Sequence, residues 1–552
     1  MGAGEADTFE APGPGCWQLD RSHFPGGTTP VMQWLVPEAM QSAYRKQWPI
    51  TGVPAETLSF RFVNGFTYTR MRPLIRPDRP SAKPPPAFLL RIASRLHPEF
   101  RRRTRAARRN LEQSPAPAVI AEWHAVTRPR LVEQNLAFGA VDLATLDDAG
   151  LAAHLEALLT HIRWTFEEHF RLHGYDLGPI GQLLVAGHRW RIPGGEMLAA
   201  LVGASPSTSA PIEALRRIRD LVAGSRATPA SLTEVAAVSP DIAVELDTYL
   251  RHRGSMLFTG YDLDAPTLGE MPDVVLATIL SGADERIHDP DHLAATIAGL
   301  RERVPEGDRD RFDDLLARAR EAMDLRDDNG PITAEWPAGL LRLAMKEAGR
   351  RLADAGRLHD TSHVFELGPV ELLTMTASGA GPGADDLTER AAVRAHHKTL
   401  DPPQTLGDLE GTLALDALPG PLAETVTIIQ ACLTELGMVD EPVERQPLEG
   451  SGIGAETYVG VARVAENADE ALDRLQPGEV LVTRTTTPAY NLVLTLVGGL
   501  VTAEGGPMSH AAVLSRELGI PAVVGAPGAM EGIADGDRVE VDPENGVVRV
   551  LA

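Results

Sequence analysis

The sequence predicts an α+β protein of several domains, in which a mainly helical central domain precedes a smaller C-terminal domain of strands and helices. Three observations support this fold class. The chain has 552 residues, a length typical of about three domains. Apolar residues recur with the period of an α-helix from residue 120 to residue 436. After residue 457, short alternating or apolar runs that are typical of strands replace this pattern.

Composition narrows the classes of function. The net charge of −24 argues against a general nucleic-acid binder, because attraction to phosphates requires a basic surface. Cys16 and Cys432 have neither the spacing of metal ligands nor that of a disulfide framework, which fits a reducing compartment. The longest apolar run, residues 492–501, contains two glycines and is about half as long as a membrane span. We therefore expect a cytoplasmic protein without nucleic-acid or membrane partners.

Lysine is rare in this chain. There are four lysines against 48 arginines, and none of the four lies in a glycine-rich loop of the kind that holds nucleotide phosphates. We therefore expect no nucleotide cradle in the chain itself.

The N-terminal part contains several turn and cap signals. Residues 1–16 are rich in Gly, Ala, Glu and Pro and are predicted to be a flexible leader. Residues 17–75 are predicted to be an opening segment of the central domain. It contains a helix with Pro30 at its first position, capped by Thr28 or Thr29, and a hairpin that turns at Asn64-Gly65.

Residues 76–437 are predicted to form the mainly helical domain. Pro and Gly residues predict breaks between its helices at residues 174–181, 205–211, 266–272 and 329–337.

An arginine-rich stretch lies near the start of this domain. Eight arginines fall between residues 85 and 115. Interleaved apolar residues give the stretch one apolar face, which predicts a solvated helix that lies on the core; docking of an anion or a partner is the alternative. The apolar residues are Leu89, Leu90, Ile92, Leu96 and Phe100.

Four histidines mark the predicted helix of residues 151–173. His154, His161, His169 and His173 fall within about a third of its circumference. The last two have the i, i+4 spacing of metal ligands, but the surrounding residues do not form His-Glu-x-x-His. We therefore expect no metal site. The alternatives are a polar face that lines a substrate cleft, with His169 and His173 as binding residues, and an ordinary polar face.

A second polar cluster follows in a loop-rich segment. His252, Arg253 and Glu270 provide a possible general base, a cation and a carboxylate, which would suit a phosphorylated or hydroxylated substrate. The alternative is structural, because His252 and Arg253 could pair with Asp262 or Glu270 and join helices.

Residues 438–456 are predicted to be a hinge linker. The glycines at 450, 452 and 454 do not form a dinucleotide loop, since no strand precedes them and no helix follows directly. The C-terminal domain, residues 457–552, then begins with predicted strands at 457–465, 479–484 and 492–496.

The strongest chemical signal lies in this last domain. An apolar run ends in a turn at Gly505-Gly506-Pro507, and Ser509-His510 then opens an amphipathic helix that stops at Gly519. Glycines allow the backbone to approach a ligand, and a helix start favours an anion. A histidine facing an anion site can be a nucleophile toward phosphorus. The alternative is a helix-cap histidine in an inactive relic.

These residues resemble a known family. Gly505-Gly506-x-x-Ser509-His510, continued to residue 525, is similar to the phosphohistidine signature of the phosphoenolpyruvate-utilising enzymes, which include rifampin phosphotransferase. The resemblance implies a swivelling β/β/α phosphohistidine domain in which His510, with Ser509, accepts a phosphoryl group at one site and delivers it at another. Met508 stands where many members carry threonine, and Tyr490 stands in the place of a tryptophan.

The same resemblance implies how the chain would work. It is strong from residue 457 onward and weaker before, and it includes neither the ATP-grasp domain nor the barrel of other members. It therefore implies a separate ATP-grasp protein, as in the split arrangement of phenylphosphate synthase, which binds ATP and Mg²⁺ and charges His510. The phosphoryl group would pass to a small-molecule hydroxyl or enol in the helical domain, as product or as a leaving group for elimination. Arg253 would clamp it while His252 or a carboxylate takes the proton.

Two other classes of function stay open at this point. One is a lyase or dehydratase of secondary metabolism that uses His510 directly as acid or base. The other is a non-catalytic adaptor that holds a partner through the arginine-rich helix.

Overall fold

The structure is a computed structural model. It describes residues 8–20, 24, 26–79, 86–225, 227–280, 290–408, 411, 414–436, 448–454, 456–486, 490 and 493–551. The chain divides into two compact units, each built from three stretches. The first unit comprises Met1–Tyr175, Ser255–Pro266 and Asn329–Val426, and the second comprises Asp176–Gly254, Thr267–Asp328 and Thr427–Ala552. The domain boundaries expected from the sequence stay predictions.

Helices dominate the described residues, as predicted. In chain order they are α1 (Pro30–Thr51), α2 (Ala87–Leu96), α3 (Pro98–Glu112), α4 (Ala116–Glu122), α5 (Arg128–Gly139), α6 (Asp148–Arg189), α7 (Gly194–Ala199), α8 (Pro206–Ser225), α9 (Leu232–Val238), α10 (Pro240–Arg253), α11 (Pro272–Leu280), α12 (Pro290–Arg303), α13 (Arg309–Gly330), α14 (Trp336–Asp354), α15 (Pro369–Ser378), α16 (Ala384–His397), α17 (Gly420–Glu435), α18 (Ala468–Arg474), α19 (His510–Leu518) and α20 (Ala529–Gly532). None of the helices in the described residues is long and apolar enough to cross a membrane.

The strands form two sheets. They are β1 (Trp17–Asp20), β2 (Ala55–Val63), β3 (Phe66–Pro73), β4 (Thr405–Leu406), β5 (Ser451–Ile453), β6 (Tyr458–Ala465), β7 (Val480–Thr483), β8 (Gly499–Thr502), β9 (Ala522–Val524), β10 (Arg538–Asp542) and β11 (Val547–Leu551). The first unit contains a four-stranded antiparallel sheet in the order β2-β3-β1-β4. The second contains a seven-stranded mixed sheet in the order β11-β10-β6-β7-β8-β9-β5.

The predicted hairpin and the predicted start of α1 are both confirmed. Asn64 and Gly65 turn the chain between β2 and β3 with positive φ angles of 51° and 73°. Thr29 is the N-cap of α1, and Pro30 is its first residue. The carboxylate of Asp262 accepts hydrogen bonds from the Thr29 N–H at 2.7 Å and from its hydroxyl at 2.5 Å. Asp262, one of the suggested partners of His252 and Arg253, thus caps a helix of the first unit.

Two of the predicted helix breaks are wrong. The helix α6 runs without interruption through residues 174–181. A Cβ atom at Gly174 would lie 1.3 Å from Gln47 Nε2, and one at Gly181 would lie 2.3 Å from the Ile428 carbonyl oxygen. These glycines therefore allow close packing and do not end the helix. At residues 329–337, a π-helix (Pro331–Glu335) joins α13 directly to α14.

The arginine-rich stretch differs from its prediction as well. It forms two helices, α2 and α3, because Pro98 starts a new helix after His97. Leu90 and Phe100 are buried, as expected, whereas the side chains of Leu89, Ile92 and Leu96 are exposed. The prediction that all five apolar residues share a core-facing side is therefore wrong.

The mixed sheet forms the centre of the C-terminal part. The four strands β6, β7, β8 and β9 run parallel in that order. Every residue of β7, β8 and β9 is buried, because apolar side chains pack on both faces of the sheet. The strand predicted at residues 492–496 is instead a short 3₁₀ helix (Val493–Thr495) with Val493 and Leu494 both buried. Residues 438–447 of the predicted hinge lie outside the described residues, and β5 joins the sheet by pairing with β9.

The glycines of α6 give a direct test of this packing. We expect Gly181→Ala to lower the free energy of unfolding by about 1–3 kcal/mol, because the added methyl group meets a backbone carbonyl. Gly178→Ala is the matched control: nothing lies within 4 Å of its Cβ position, so the change should stabilise the same helix by up to about 1 kcal/mol. Chemical denaturation of the intact chain measures both. Equal effects of the two substitutions would contradict this account.

Candidate functional site

His510 is the first residue of α19. Ser509 is the N-cap, in an extended conformation, and its Oγ accepts a hydrogen bond from the Ala512 N–H at 3.4 Å. The helix ends at Gly519, which adopts the left-handed conformation at φ 64°. Both local predictions are confirmed. The imidazole is half-buried at the positive end of the helix dipole.

A tight turn precedes the histidine. Gly505 has φ 105°, a conformation that residues with a Cβ rarely adopt, and a Cβ there would lie 3.0 Å from the Ser509 side chain. The Gly506 carbonyl accepts a hydrogen bond from the Ser509 N–H at 2.9 Å. The turn therefore folds back onto the helix start and fixes where His510 emerges.

A threonine fixes the plane of the imidazole ring. Thr486 Oγ1 lies 2.9 Å from His510 Nδ1, and the Thr486 side chain is buried. Met508, at the position where the family often has threonine, is buried and offers no hydroxyl. No local pattern in the sequence connects Thr486 with His510, which lies 24 residues further along the chain.

The ring is electrically neutral at physiological pH. Burial lowers the pKa of His510 to about 3, and the positive charge of Arg326 lowers it further. Arg326 belongs to α13 and donates a hydrogen bond from Nη2 to the Met508 carbonyl at 3.3 Å. A neutral ring retains a lone pair on one nitrogen, which is what a nucleophile requires.

Helical residues of the second unit hold the turn from several sides. The Met508 N–H donates to the Glu435 carbonyl, at the end of α17, at 2.6 Å. The Glu517 carboxylate accepts from the Gly203 N–H at 3.0 Å. Arg516 donates to the Pro507 carbonyl, and burial lowers its pKa to about 10. The turn is therefore positioned by α17, α19 and the segment after α7.

A half-buried carboxyl group, that of Asp327, adjoins Arg326 on α13. Burial raises the pKa of Asp327 to about 6, while the neighbouring Arg326 opposes the shift. Thr208 Oγ1 donates to Asp327 Oδ2 at 3.4 Å. Sequence reasoning missed both α13 residues, because they lie in an ordinary charged run and only the fold brings Arg326 to the His510 turn.

The second unit contains all three residues of the predicted polar cluster, His252, Arg253 and Glu270. His252 Nδ1 lies 2.9 Å from the Thr248 carbonyl, one helical turn earlier in α10. Glu270 Oε2 accepts from the Thr267 N–H at 2.8 Å and closes a capping box on the short helix Leu268–Glu270. The Gly269 N–H donates to the Gly254 carbonyl at 2.7 Å, which ties that turn to the end of α10. Their functional roles stay predictions.

His169 and His173 lie in the first unit. Their Nε2 atoms are 3.2 Å apart, and His169 Nδ1 lies 3.0 Å from Thr333 Oγ1 in the π-helix. The two predicted binding histidines are therefore in contact. The described parts of the chain contain no group of three or more His, Cys, Asp or Glu side chains arranged to hold a metal ion.

Comparison with known proteins agrees with this geometry. The family model of the PEP-utilising enzyme mobile domain matches residues 475–546, which include Thr486, Ser509 and His510. This match confirms the resemblance inferred from the turn and helix around His510.

Relatives extend the similarity toward the N-terminus. The chain is 30% identical over 332 residues to chondramide synthase of Chondromyces crocatus, covering 56% of this chain and 8% of that protein. It is 28% identical over 323 residues to rifampicin phosphotransferase of Streptomyces sviceus, covering 56% and 34%. With phosphoenolpyruvate synthase of Aeropyrum pernix it shares 30% identity over 228 residues, covering 38% and 26%.

In each case the match spans about a third or less of the relative's own length. Residues 475–546 therefore match the PEP-utilising enzyme mobile domain, and the chain is similar over part of its length to phosphoenolpyruvate-utilising enzymes.

Proposed function

We propose that this chain is a phosphotransferase component that carries a phosphoryl group on His510. A separate ATP-grasp protein, which binds ATP and Mg²⁺, charges the histidine. The histidine then delivers the group to a hydroxyl or enol of a small molecule bound in the helical domain. The observation that carries this proposal is a neutral, half-buried imidazole at a helix start, with its Nδ1 atom held by Thr486.

The charging step requires one tautomer of His510. When Nδ1–H donates to Thr486 Oγ1, the lone pair lies on Nε2. Nε2 then attacks a phosphorus atom of the nucleotide's phosphate chain; the N–P bond forms while a P–O bond of that chain breaks, and the departing oxygen keeps the electron pair. Glycines 505 and 506 let the backbone approach the phosphoryl oxygens, and Ser509 caps the helix that presents the ring.

The second step transfers the group to the acceptor. The acceptor oxygen attacks phosphorus, the N–P bond breaks and the imidazole recovers its electron pair. A base takes the acceptor proton. His252 is the base that the sequence suggests, and Asp327 is a second candidate because its pKa of about 6 is close to physiological pH. Arg253, Glu270, His169 and His173 are the proposed substrate-binding residues. The phosphorylated acceptor is either the product or the substrate of an elimination.

The lyase alternative is less consistent with the electrostatics of the site. A general acid or base works best when its pKa lies near the operating pH. The pKa of His510 is about 3, so the ring would be a weak base, and its acidic imidazolium form would be scarce at physiological pH. Nucleophilic attack on phosphorus needs only the lone pair.

Labelled ATP tests the proposed function. Incubation of the chain with ATP radiolabelled in its β- and γ-phosphates, with and without a co-encoded ATP-grasp protein, should give acid-labile label on His510 only when that protein is present, and His510→Ala should abolish it. His359→Gln, which removes an exposed histidine of the first unit, is the matched control and should keep full labelling. Product formation without any nucleotide would instead support the lyase, and a chain with neither label nor turnover would support the adaptor.

The role of Thr486 gives a separate prediction. Thr486→Val removes the hydroxyl that fixes Nδ1, so we expect labelling of His510 to slow by about 10- to 100-fold, in the range found when a partner that orients a histidine is lost. Thr486→Ser retains the hydroxyl and should label at nearly the rate of the unaltered chain. The initial rate of label incorporation measures both. A Val variant that charges as fast as the Ser variant would remove Thr486 from the mechanism.

The titration of Asp327 can be tested without substrate. Its folded-state pKa of about 6 lies above the ordinary value of 3.8, so the folded chain takes up this proton first as the pH falls. The contribution of this group to stability is therefore complete below about pH 4 and is lost as the pH rises through 6. Asp327→Asn should gain stability relative to the unaltered chain between pH 4 and pH 7, as measured by urea unfolding at both values. A pH-independent difference would contradict the raised pKa.

A further inference from the structure

Arg326 makes an incomplete set of hydrogen bonds. Its Nη2 donates to the Met508 carbonyl at 3.3 Å, whereas its Nη1 is buried with no hydrogen-bond partner. Buried donors are almost always paired, because an unmade hydrogen bond costs free energy. The buried, unpaired Nη1 atom of this half-buried cation is therefore suited to bind an anion.

The position of this cation relates it to the histidine. Met508 precedes His510 by two residues, so the guanidinium group lies against the turn that leads into α19. Its charge is felt at the imidazole, where it opposes protonation. The first N–H groups of α19 add positive potential on the same side. Two independent sources of positive charge thus converge beside the ring.

We propose that Arg326 Nη1, together with the first amides of α19, forms an anion site that binds the phosphoryl group while it is attached to His510. This inference rests on the proposed function, and it replaces Arg253, the cation that the sequence suggested for this role. Arg253 lies at the end of α10, where its charge acts on Tyr249. Arg326 contacts the backbone of the His510 turn itself.

The same cation would act differently on the two states of the histidine. It disfavours a proton on the bare ring, because two positive charges would be brought together. Once the ring carries a phosphoryl group with two negative charges, the guanidinium becomes a favourable partner that can donate charge-assisted hydrogen bonds. Arg326 would therefore keep the nucleophile ready and then slow the loss of the group to water.

Phosphoramidate provides a test that needs neither ATP nor a donor protein, because it phosphorylates histidine chemically. The half-life of phosphohistidine at His510 is followed by ³¹P NMR in the intact chain, in Arg326→Gln and in Arg326→Lys. We expect Arg326→Gln to shorten the half-life by about tenfold, the effect of losing a hydrogen bond to a charged group, and Arg326→Lys to shorten it less. Arg318→Gln is the control: Arg318 lies on the same helix, is partly exposed and pairs with Asp314, and its replacement should change nothing.

A second measurement does not involve phosphate. In the uncharged chain, NMR titration should show that the pKa of His510 rises in Arg326→Gln, because a nearby positive charge is removed, and stays constant in Arg318→Gln. A raised pKa with an unchanged half-life would show that Arg326 faces the ring but binds no phosphoryl group, and the proposal would fall. If Arg326→Gln does not fold, the half-life in Arg326→Lys decides: no shortening overturns the proposal.

The two proposals can fail separately. If ATP and the donor protein never label His510, but the half-lives differ as expected after phosphoramidate treatment, the anion site stands and the proposed function falls. If labelling by ATP succeeds and the half-lives are equal, the proposed function stands without Arg326.

Discussion

A single hydrogen bond, between Thr486 and Nδ1 of His510, determines what the imidazole can do. The sheet makes this bond possible. Because β7 and β8 are parallel neighbours, with Thr483 opposite Thr502, the segments that follow them leave the sheet at the same edge. Thr486 follows β7, and the turn at Gly505 follows β8. The threonine hydroxyl therefore reaches the first residue of α19, and the position of this hydrogen bond is a consequence of strand order.

The electrostatics around this bond favour a nucleophile over a base. A histidine that serves as a general base usually has a carboxylate beside it, which stabilises the imidazolium and raises the pKa. His510 instead has a hydroxyl at Nδ1 and the cation Arg326 nearby, in a half-buried position. Burial and the charge of Arg326 both penalise the protonated ring. The lone pair is retained, which suits attack on phosphorus, and reversible proton transfer becomes unfavourable.

Local signals in the sequence predicted the backbone of this site, and distant contacts completed it. The turn at Gly505, the cap at Ser509 and the stop at Gly519 all depend on neighbouring residues, so a single sequence contains them. Arg326 contacts Met508 across 182 residues, and no local pattern predicts such a contact. The same limit explains the wrong break in α6, because Gly181 could be interpreted correctly only once the Ile428 carbonyl was known to lie against it.

In the first unit, the histidine pair His169 and His173 also has a threonine hydroxyl at one Nδ1 atom, that of His169. The Thr333 hydroxyl has one proton, which it donates to the Asn329 carbonyl. The two oxygen atoms are 2.5 Å apart. Thr333 must therefore accept from His169 Nδ1–H, which places the His169 lone pair on Nε2. That lone pair accepts from His173 Nε2–H at 3.2 Å. In this pair the lone pair that a threonine directs to Nε2 is used to orient a second histidine.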